Sequence, residues 1–202
     1  MSVIVLPDFP TESFVWRLRR NEISARSAFG AQSFEVALPQ WEVEIKGAPM
    51  MLDQAAAVEV FLEALAGSRN QVELYHRGKP QPLGTMRGAP LLQISASDGA
   101  TQLLIASGQP GCTILAGDLF GIGSGLNQQV LRAKSSSVAD GAGTITLDLN
   151  HPLRGSFTAG EFIRWDRPKA LFRQQSGNSG LQYLPGRITD SWTVSFLEDP
   201  RP

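Results

Sequence analysis

Apolar residues recur along the chain at two periods, and one segment carries the helical one. In Asp53–Gly67, Val58, Phe61, Leu62 and Leu65 stand at i, i+3, i+4 and i+7, one stripe of a helix. Asp53 is placed to cap its start and Gly67 to take the left-handed position after its end. Glu59 and Glu63 lie one turn apart and are expected to face water. A helix of about 20 Å, at 1.5 Å per residue, does not hold alone in water. Its neighbours in sequence have the period of strands. In Gln40–Lys46, Trp41, Val43 and Ile45 alternate with Glu42, Glu44 and Lys46. In Asn70–His76, Val72 and Leu74 alternate with Gln71 and Glu73. The pattern predicts a helix laid across a β-sheet.

The same alternation appears at Ser13–Arg19, where Phe14, Trp16 and Leu18 oppose Val15, Arg17 and Arg19, and at Gln32–Ala37. Asn21–Ala31, with Phe29-Gly30 near its end, reads as a connection, and Pro39 as a break between two strands. Arg77–Pro90 holds Pro80, Pro82, Gly84, Gly88 and Pro90 and reads as a linker or long loop. Beyond it the texture changes to short strands with frequent glycines. The candidates are Leu91–Ser95, Gln102–Ala106, Thr113–Leu115, Asp118–Ile122, Gln128–Ala133, Thr144–Leu149, Glu161–Arg164 and Ala170–Phe172, with Asp140-Gly141 as a turn. Their number and length suit a small β-barrel. After the polar Gln174–Gly180 and the turn at Pro185-Gly186, alternation returns in Ile188–Glu198, with Trp192, Val194 and Phe196 on one face. This last strand resembles the first block. The expectation is therefore a mostly β chain in two parts. Residues 1–87 with 173–202 form a discontinuous β-sandwich with one flanking helix, and residues 88–172 an inserted small β-barrel. Trp16, Trp41, Phe61, Leu65 and Trp192 are the expected core anchors.

Composition narrows the function classes. A 202-residue chain has ample length for a large core. Its net charge of -1 offers no broad basic surface for nucleic acid or anionic membrane. Met1–Pro7 has an apolar run without a basic leader, so no signal peptide is expected, and no segment reaches the ~18 apolar residues of a membrane span. The single Cys112 rules out an intrachain disulfide and suits a reducing cytoplasm. Two histidines, His76 and His151, with no His-x-x-x-His or Cys-x-x-Cys spacing, give no zinc site.

The remaining candidate chemistry is sparse. Gly121-Ile-Gly-Ser-Gly-Leu126 fails the dinucleotide fingerprint at its sixth position and misses the nucleophile elbow at Ile122, so it reads as a glycine-rich hairpin tip. Glu42 and Glu44 share a strand face, where an acid–base pair competes with a plain solvated face. Asp118, Asp140 and Asp166 stand beside turns or strand ends, as Asp commonly does. Trp165, flanked by charges, is the candidate stacking platform for a sugar or base, set against core or rim packing. Arg17, Arg19 and Arg20 are too few for DNA readout. No catalytic residue, cofactor or metal is expected.

Several segments, in order, resemble one family. Phe14-Val-Trp-Arg-Leu-Arg-Arg-Asn21, Ser27-Ala-Phe-Gly-Ala-Gln-Ser-Phe34, Trp41, and Ala64-Leu-Ala-Gly-Ser-Arg-Asn70 resemble the opening of small distal tail proteins of phages with long non-contractile tails. Leu115-Ala-Gly-Asp-Leu119, Asp140-Gly-Ala-Gly143, Pro152-Leu-Arg154 and Ala159-Gly160 are similar to their accessory barrel, and Trp192–Glu198 to their final strand. The resemblance implies a β-sandwich with a flanking helix, six copies closing into a ring around the tail channel, and an OB-like accessory barrel outside it. It implies a virion hub between the tail-tube protein and the host-recognition tip, past which DNA moves without sequence-specific contact, and no membrane association. A host surface glycan is a further partner considered for the barrel. The alternatives are a carbohydrate-binding tail adaptor and another ring protein of the tail-tube fold. In the ring, Glu35, Glu42, Glu44 and Glu73 are the expected channel-facing residues, a carboxylate wall that would repel phosphates. Arg17 and Arg19 count against such a wall unless they pair with those carboxylates.

Overall fold

The computed structural model describes residues 2–27, 30–175, 180–186 and 188–199. The fold is mostly β, with one α-helix among these residues. In chain order it begins with β1 (Val3–Ile4), β2 (Thr11–Ser27), β3 (Gly30–Gly47), α1 (Leu52–Leu65) and β4 (Gln71–Tyr75). Then come β5 (Leu91–Leu92), β6 (Gln102–Ala106), β7 (Thr113–Ile114), β8 (Leu119–Ile122), β9 (Gln129–Arg132), β10 (Ser137–Val138) and β11 (Thr144–Asp148). The last are β12 (Lys169–Gln174), β13 (Tyr183–Leu184), β14 (Ile188–Thr189) and β15 (Trp192–Glu198). The chain divides into two compact units, Met1–Glu73 with Phe172–Asp199, and Leu74–Leu171.

The first unit is built on a six-stranded sheet of order β1-β4-β12-β15-β3-β2. β15 lies between β12 and β3 and runs antiparallel to both, with Phe196 opposite Gln174 on one side and Val43 on the other. β2 sets Phe14, Trp16 and Leu18 opposite Ile45, Val43 and Trp41. One face of the sheet is therefore apolar. Trp16, Trp41, Val43, Ile45, Phe172, Trp192, Val194 and Phe196 on it are buried, as are Ala55, Val58, Phe61, Leu62 and Leu65 of the helix. Trp16 stands 5.8 Å from the ring of Trp41 and meets Phe172 edge-on at 5.2 Å, geometries favoured by the ring quadrupole. Trp192 lies over Gly47 so closely that a Cβ there would run into the indole.

The ends of the helix depart from expectation. Met51 occupies the N-cap with no side-chain hydrogen bond, and Asp53 sits inside the first turn, where its charge favours the N-terminal dipole. At the other end Ala66 already turns left-handed (φ 48°), ahead of Gly67. The Asn70 side chain donates to the Ala64 carbonyl at 2.8 Å, satisfying one of the last orphan acceptors.

A larger correction concerns Asn21–Ala31, expected as a connection. Residues 21–27 continue β2, Gly30 and Ala31 begin β3, and Gln32–Ala37 and Trp41–Lys46 belong to that same strand. Pro39 does not end the strand, although the pairing steps out of register there. Arg19 faces Gln40 while Asn21 faces Ala37, so Pro39 sits at a bulge, a position where its missing N–H is tolerated. Phe29, at the expected end of the connection, lies outside the described residues, as do Ser176–Ser179 of the polar stretch before β13.

The second unit closes on itself. β5 pairs with β6, and β6 with β11. Leu149, just past β11, bridges Ala133 at the end of β9, which pairs with β8. Gly121 of β8 bridges Arg164, and Phe162 of that last segment bridges Leu91 of β5. Six segments thus form a complete circuit around Leu103, Ile105, Phe120, Leu131, Ile145, Leu147 and Ile163, all buried. Closure leaves no open edge in this circuit.

The expected boundary at residues 87 and 88 moves to 73 and 74. Residues 80–87 are not a free linker. The buried Asp118 carboxylate accepts the backbone N–H groups of Leu83 (2.8 Å), Gly84 (3.0 Å) and Leu115 (2.8 Å), which ties that stretch to the barrel. Met86 is fully buried in the barrel core. Ala170–Phe172, expected in the barrel, lies in β12 of the six-stranded sheet.

Candidate functional site

The feature least explained by packing within the chain is the outer part of the β2–β3 hairpin. β15 pairs with β3 only from Glu42 to Gly47. Beyond the bulge at Pro39, residues 21–27 and 30–37 pair, among the described residues, with each other alone. A two-stranded ribbon is marginal in water, yet this one carries apolar side chains in the open. Ile23 and Phe34 stand directly opposite each other and are 62% and 59% exposed. Val36, the extra residue of a second bulge, is 62% exposed, and Leu38 is exposed as well. The other face is polar. Glu22 accepts the Ser33 hydroxyl at 3.0 Å, and Glu35 lies 3.7 Å from the Arg20 guanidinium.

The four carboxylates expected to line a channel are not one cluster. Glu42 and Glu44 do share the sheet face away from Trp41, opposite Arg17 and Val15. Glu35 is out on the ribbon, and Glu73 is on β4, three strands from β3, roughly 14 Å away at the usual strand spacing. Glu42 is held by a two-pronged contact. Arg17 Nε donates to one oxygen at 3.1 Å and Nη2 to the other at 3.0 Å. This hydrogen-bonded pairing holds the Glu42 carboxyl below the usual carboxylate range, against the opposing effect of burial, with further help from the charges of Arg17 and Arg19. The Arg17 side chain is 56% exposed while the Glu42 side chain is 13% exposed.

Sequence reasoning missed a fifth carboxylate. Glu198 is 3% exposed and accepts the Trp41 backbone N–H at 3.0 Å. The period of β15 carried the signal, because Trp192, Val194, Phe196 and Glu198 fall on one face. In the barrel, Trp165 packs against the core, donates its indole N–H to the Gly88 carbonyl at 2.9 Å and has the Arg87 guanidinium 5.0 Å above its ring. One face of the expected sugar platform is thus taken by a cation–π contact. Cys112 is buried beside the Ser107 hydroxyl at 3.3 Å. Among the described residues no three His, Cys, Asp or Glu side chains converge on a point. The Gly121–Leu126 stretch runs from β8 into a one-turn 3-10 helix, Gly125–Asn127, at the tip of the β8–β9 hairpin.

No protein-family model matches the chain, and no curated protein is similar to it.

Proposed function

We propose that this chain is a structural ring protein of a phage tail, six copies of which surround the DNA channel at the hub between tail tube and host-recognition tip. The observation that carries the reading is the ribbon of residues 21–27 and 30–37, whose exposed Ile23, Phe34 and Val36 are left uncovered by the described residues and suit the surface of a neighbouring copy. A head-to-tail contact of this kind, repeated around an axis, closes a ring. The ordered resemblance of residues 14–34, 64–70 and 192–198 to small distal tail proteins points the same way. On this reading the chain is not an enzyme, works in the virion and touches DNA only in passing.

The ion pairs refine the proposed bore. With Glu42 paired to Arg17 and Glu35 to Arg20, the surface at those positions is charge-balanced rather than a carboxylate wall. Such a surface still gives phosphates no net attraction, because DNA affinity grows with the number of basic contacts that are free to form. Cryo-microscopy of the purified chain tests the proposal. The expected image is a closed six-fold ring with the β3 face bearing Glu42 and Glu44 toward the bore. A monomer at every concentration, or Glu42 and Glu44 on the outer rim, overturns it.

A further inference from the structure

A second uncovered apolar surface lies in the first unit, at the start of the helix. The short hairpin of β13 and β14 hangs on the segment before α1. The Thr189 N–H donates to the Met50 carbonyl at 2.9 Å, and the Met50 N–H to the Thr189 hydroxyl at 3.2 Å. Met50 and Thr189 are buried, so the period of two turns their neighbours Met51 and Ile188 outward. Met51 bridges Ile188, and Ile188 stands opposite Leu184. Three neighbouring segments thus present Met51, Ile188 and Leu184 in one row, and Leu52 follows at the first helical position. These four side chains are 37–57% exposed. The helix beside the row carries Asp53, Glu59 and Glu63 and no lysine or arginine. The Tyr183 hydroxyl donates to Glu59, while Asp53 and Glu63 form no salt bridge among the described residues.

We propose that this row receives the β2–β3 ribbon of a second copy of the chain, so that Ile23, Phe34 and Val36 of one copy cover Met51, Leu184 and Ile188 of the next. The inference rests on the ring reading and adds to it the surface on which the ribbon lands. Within one chain the two surfaces lie beyond opposite ends of the Gln40–Gly47 part of β3, which spans roughly 23 Å at ~3.3 Å per residue. A chain therefore does not cover its own row with its own ribbon, and each copy offers one surface of each kind to its neighbours. Two distinct surfaces that fit each other are what a head-to-tail contact needs. Charge agrees with the pairing. The ribbon leaves the sheet at Arg19 and Arg20, and Arg19 is exposed and forms no salt bridge among the described residues. On a neighbouring copy it would meet the acidic helix. A two-fold contact of ribbon on ribbon would instead bring the arginines of both copies together and leave the Met51 row bare.

The test mixes two variants of the full chain in analytical ultracentrifugation. Ile23→Thr, Phe34→Thr and Val36→Thr together disable the ribbon and keep the row. Leu184→Thr with Ile188→Thr disables the row and keeps the ribbon. Each variant alone is expected to sediment as a single chain of 21.9 kDa. Their equimolar mixture is expected at twice that mass and no higher, because each mixed pair can form one contact only. Should the Leu184/Ile188 variant lose its fold, Met51→Asp takes its place. Met51 is exposed at the N-cap without a side-chain bond, so Asp there suits the helix while setting a charge in the row. A row-disabled chain that assembles like the parent, or pairs with itself, overturns the contact and leaves the ring standing. A mixture that stays at the mass of one chain overturns the contact as well. A parent chain that is monomeric at every concentration removes the ring reading, and the contact with it.

Discussion

Trp41 and Glu42 are adjacent in sequence and opposite in consequence. Trp41 is fully buried beside Trp16, so Trp41→Ala is expected to cost about 3–5 kcal/mol, as aromatic truncations in a core do. Glu42→Ala removes an ion pair whose guanidinium is largely in water and is expected to cost about 0–1 kcal/mol. Urea denaturation of the two variants measures the difference, and equal losses would contradict the assigned faces. Glu42 also sets a pH dependence. Its folded-state pKa lies below the ordinary 4.5, so its contribution is fully present above pH 4.5 and is lost as pH falls through the folded value. Glu42→Gln should therefore lower stability slightly near neutrality, and its difference from the parent should vanish as pH falls below 4.5 through the folded value, as read by denaturation midpoints from pH 7 to pH 3. Period-two alternation made the buried identity of Trp16, Trp41 and Trp192 legible. It did not disclose Glu198, because a carboxylate on an apolar face reads as a strand end until its acceptor role toward Trp41 is known.

Among the elements, the ribbon was the least legible. Asn21–Ala31 has few large apolar residues, and its serines, alanines and charges carry no clear period. The pairing that makes it a strand comes from the hairpin, which extends register already set by Trp16 and Val43 outward past the bulge at Pro39. Proline chemistry misled for the same reason, since a bulge absorbs the lost donor without ending the strand. Because Ile23, Phe34 and Val36 are largely exposed, replacing all three by Thr should change the stability of the isolated chain by no more than about 0.5 kcal/mol per site. The same triple variant should shift the oligomer toward monomer in analytical ultracentrifugation. Unchanged sedimentation would assign the assembly to another surface. The Pro- and Gly-rich stretch after β4 misled in the opposite sense. Its composition is that of a linker, but the Asp118 carboxylate collects its backbone donors and Met86 enters the barrel core.

For the molecule as a whole, the mostly β class and the two-part layout could be read from the change of texture near residue 90 and the return of alternation at Ile188. The exact boundary could not, because β4 and β12 look like ordinary short strands on either side of it. They are neighbours in the six-stranded sheet, and this makes the point of excision decisive. Replacing residues 77–167 by a short Gly/Ser loop keeps both strands whole and is expected to leave a remainder with cooperative thermal unfolding, since loop closure depends weakly on length. Replacing residues 88–172 removes every apolar residue of β12 and strands Met86 outside its core. That protein is expected to aggregate or to melt without a transition. Calorimetry of the two deletions separates these outcomes, and equal behaviour would contradict the boundary.

The place of β15 has a consequence for how the chain is made. Synthesis runs from the N-terminus, so the barrel segments, which are contiguous in sequence, are all available before β15 exists. Until residues 192–198 emerge, β3 and β12 have no strand between them, and each offers the nascent chain's surroundings a row of unpaired backbone groups. The first unit is thus begun early and finished last, with its central slot open throughout translation of the barrel. A released chain lacking residues 192–198 would hold a closed barrel and an open sheet, the species in which misassembly between neighbouring chains is expected to begin.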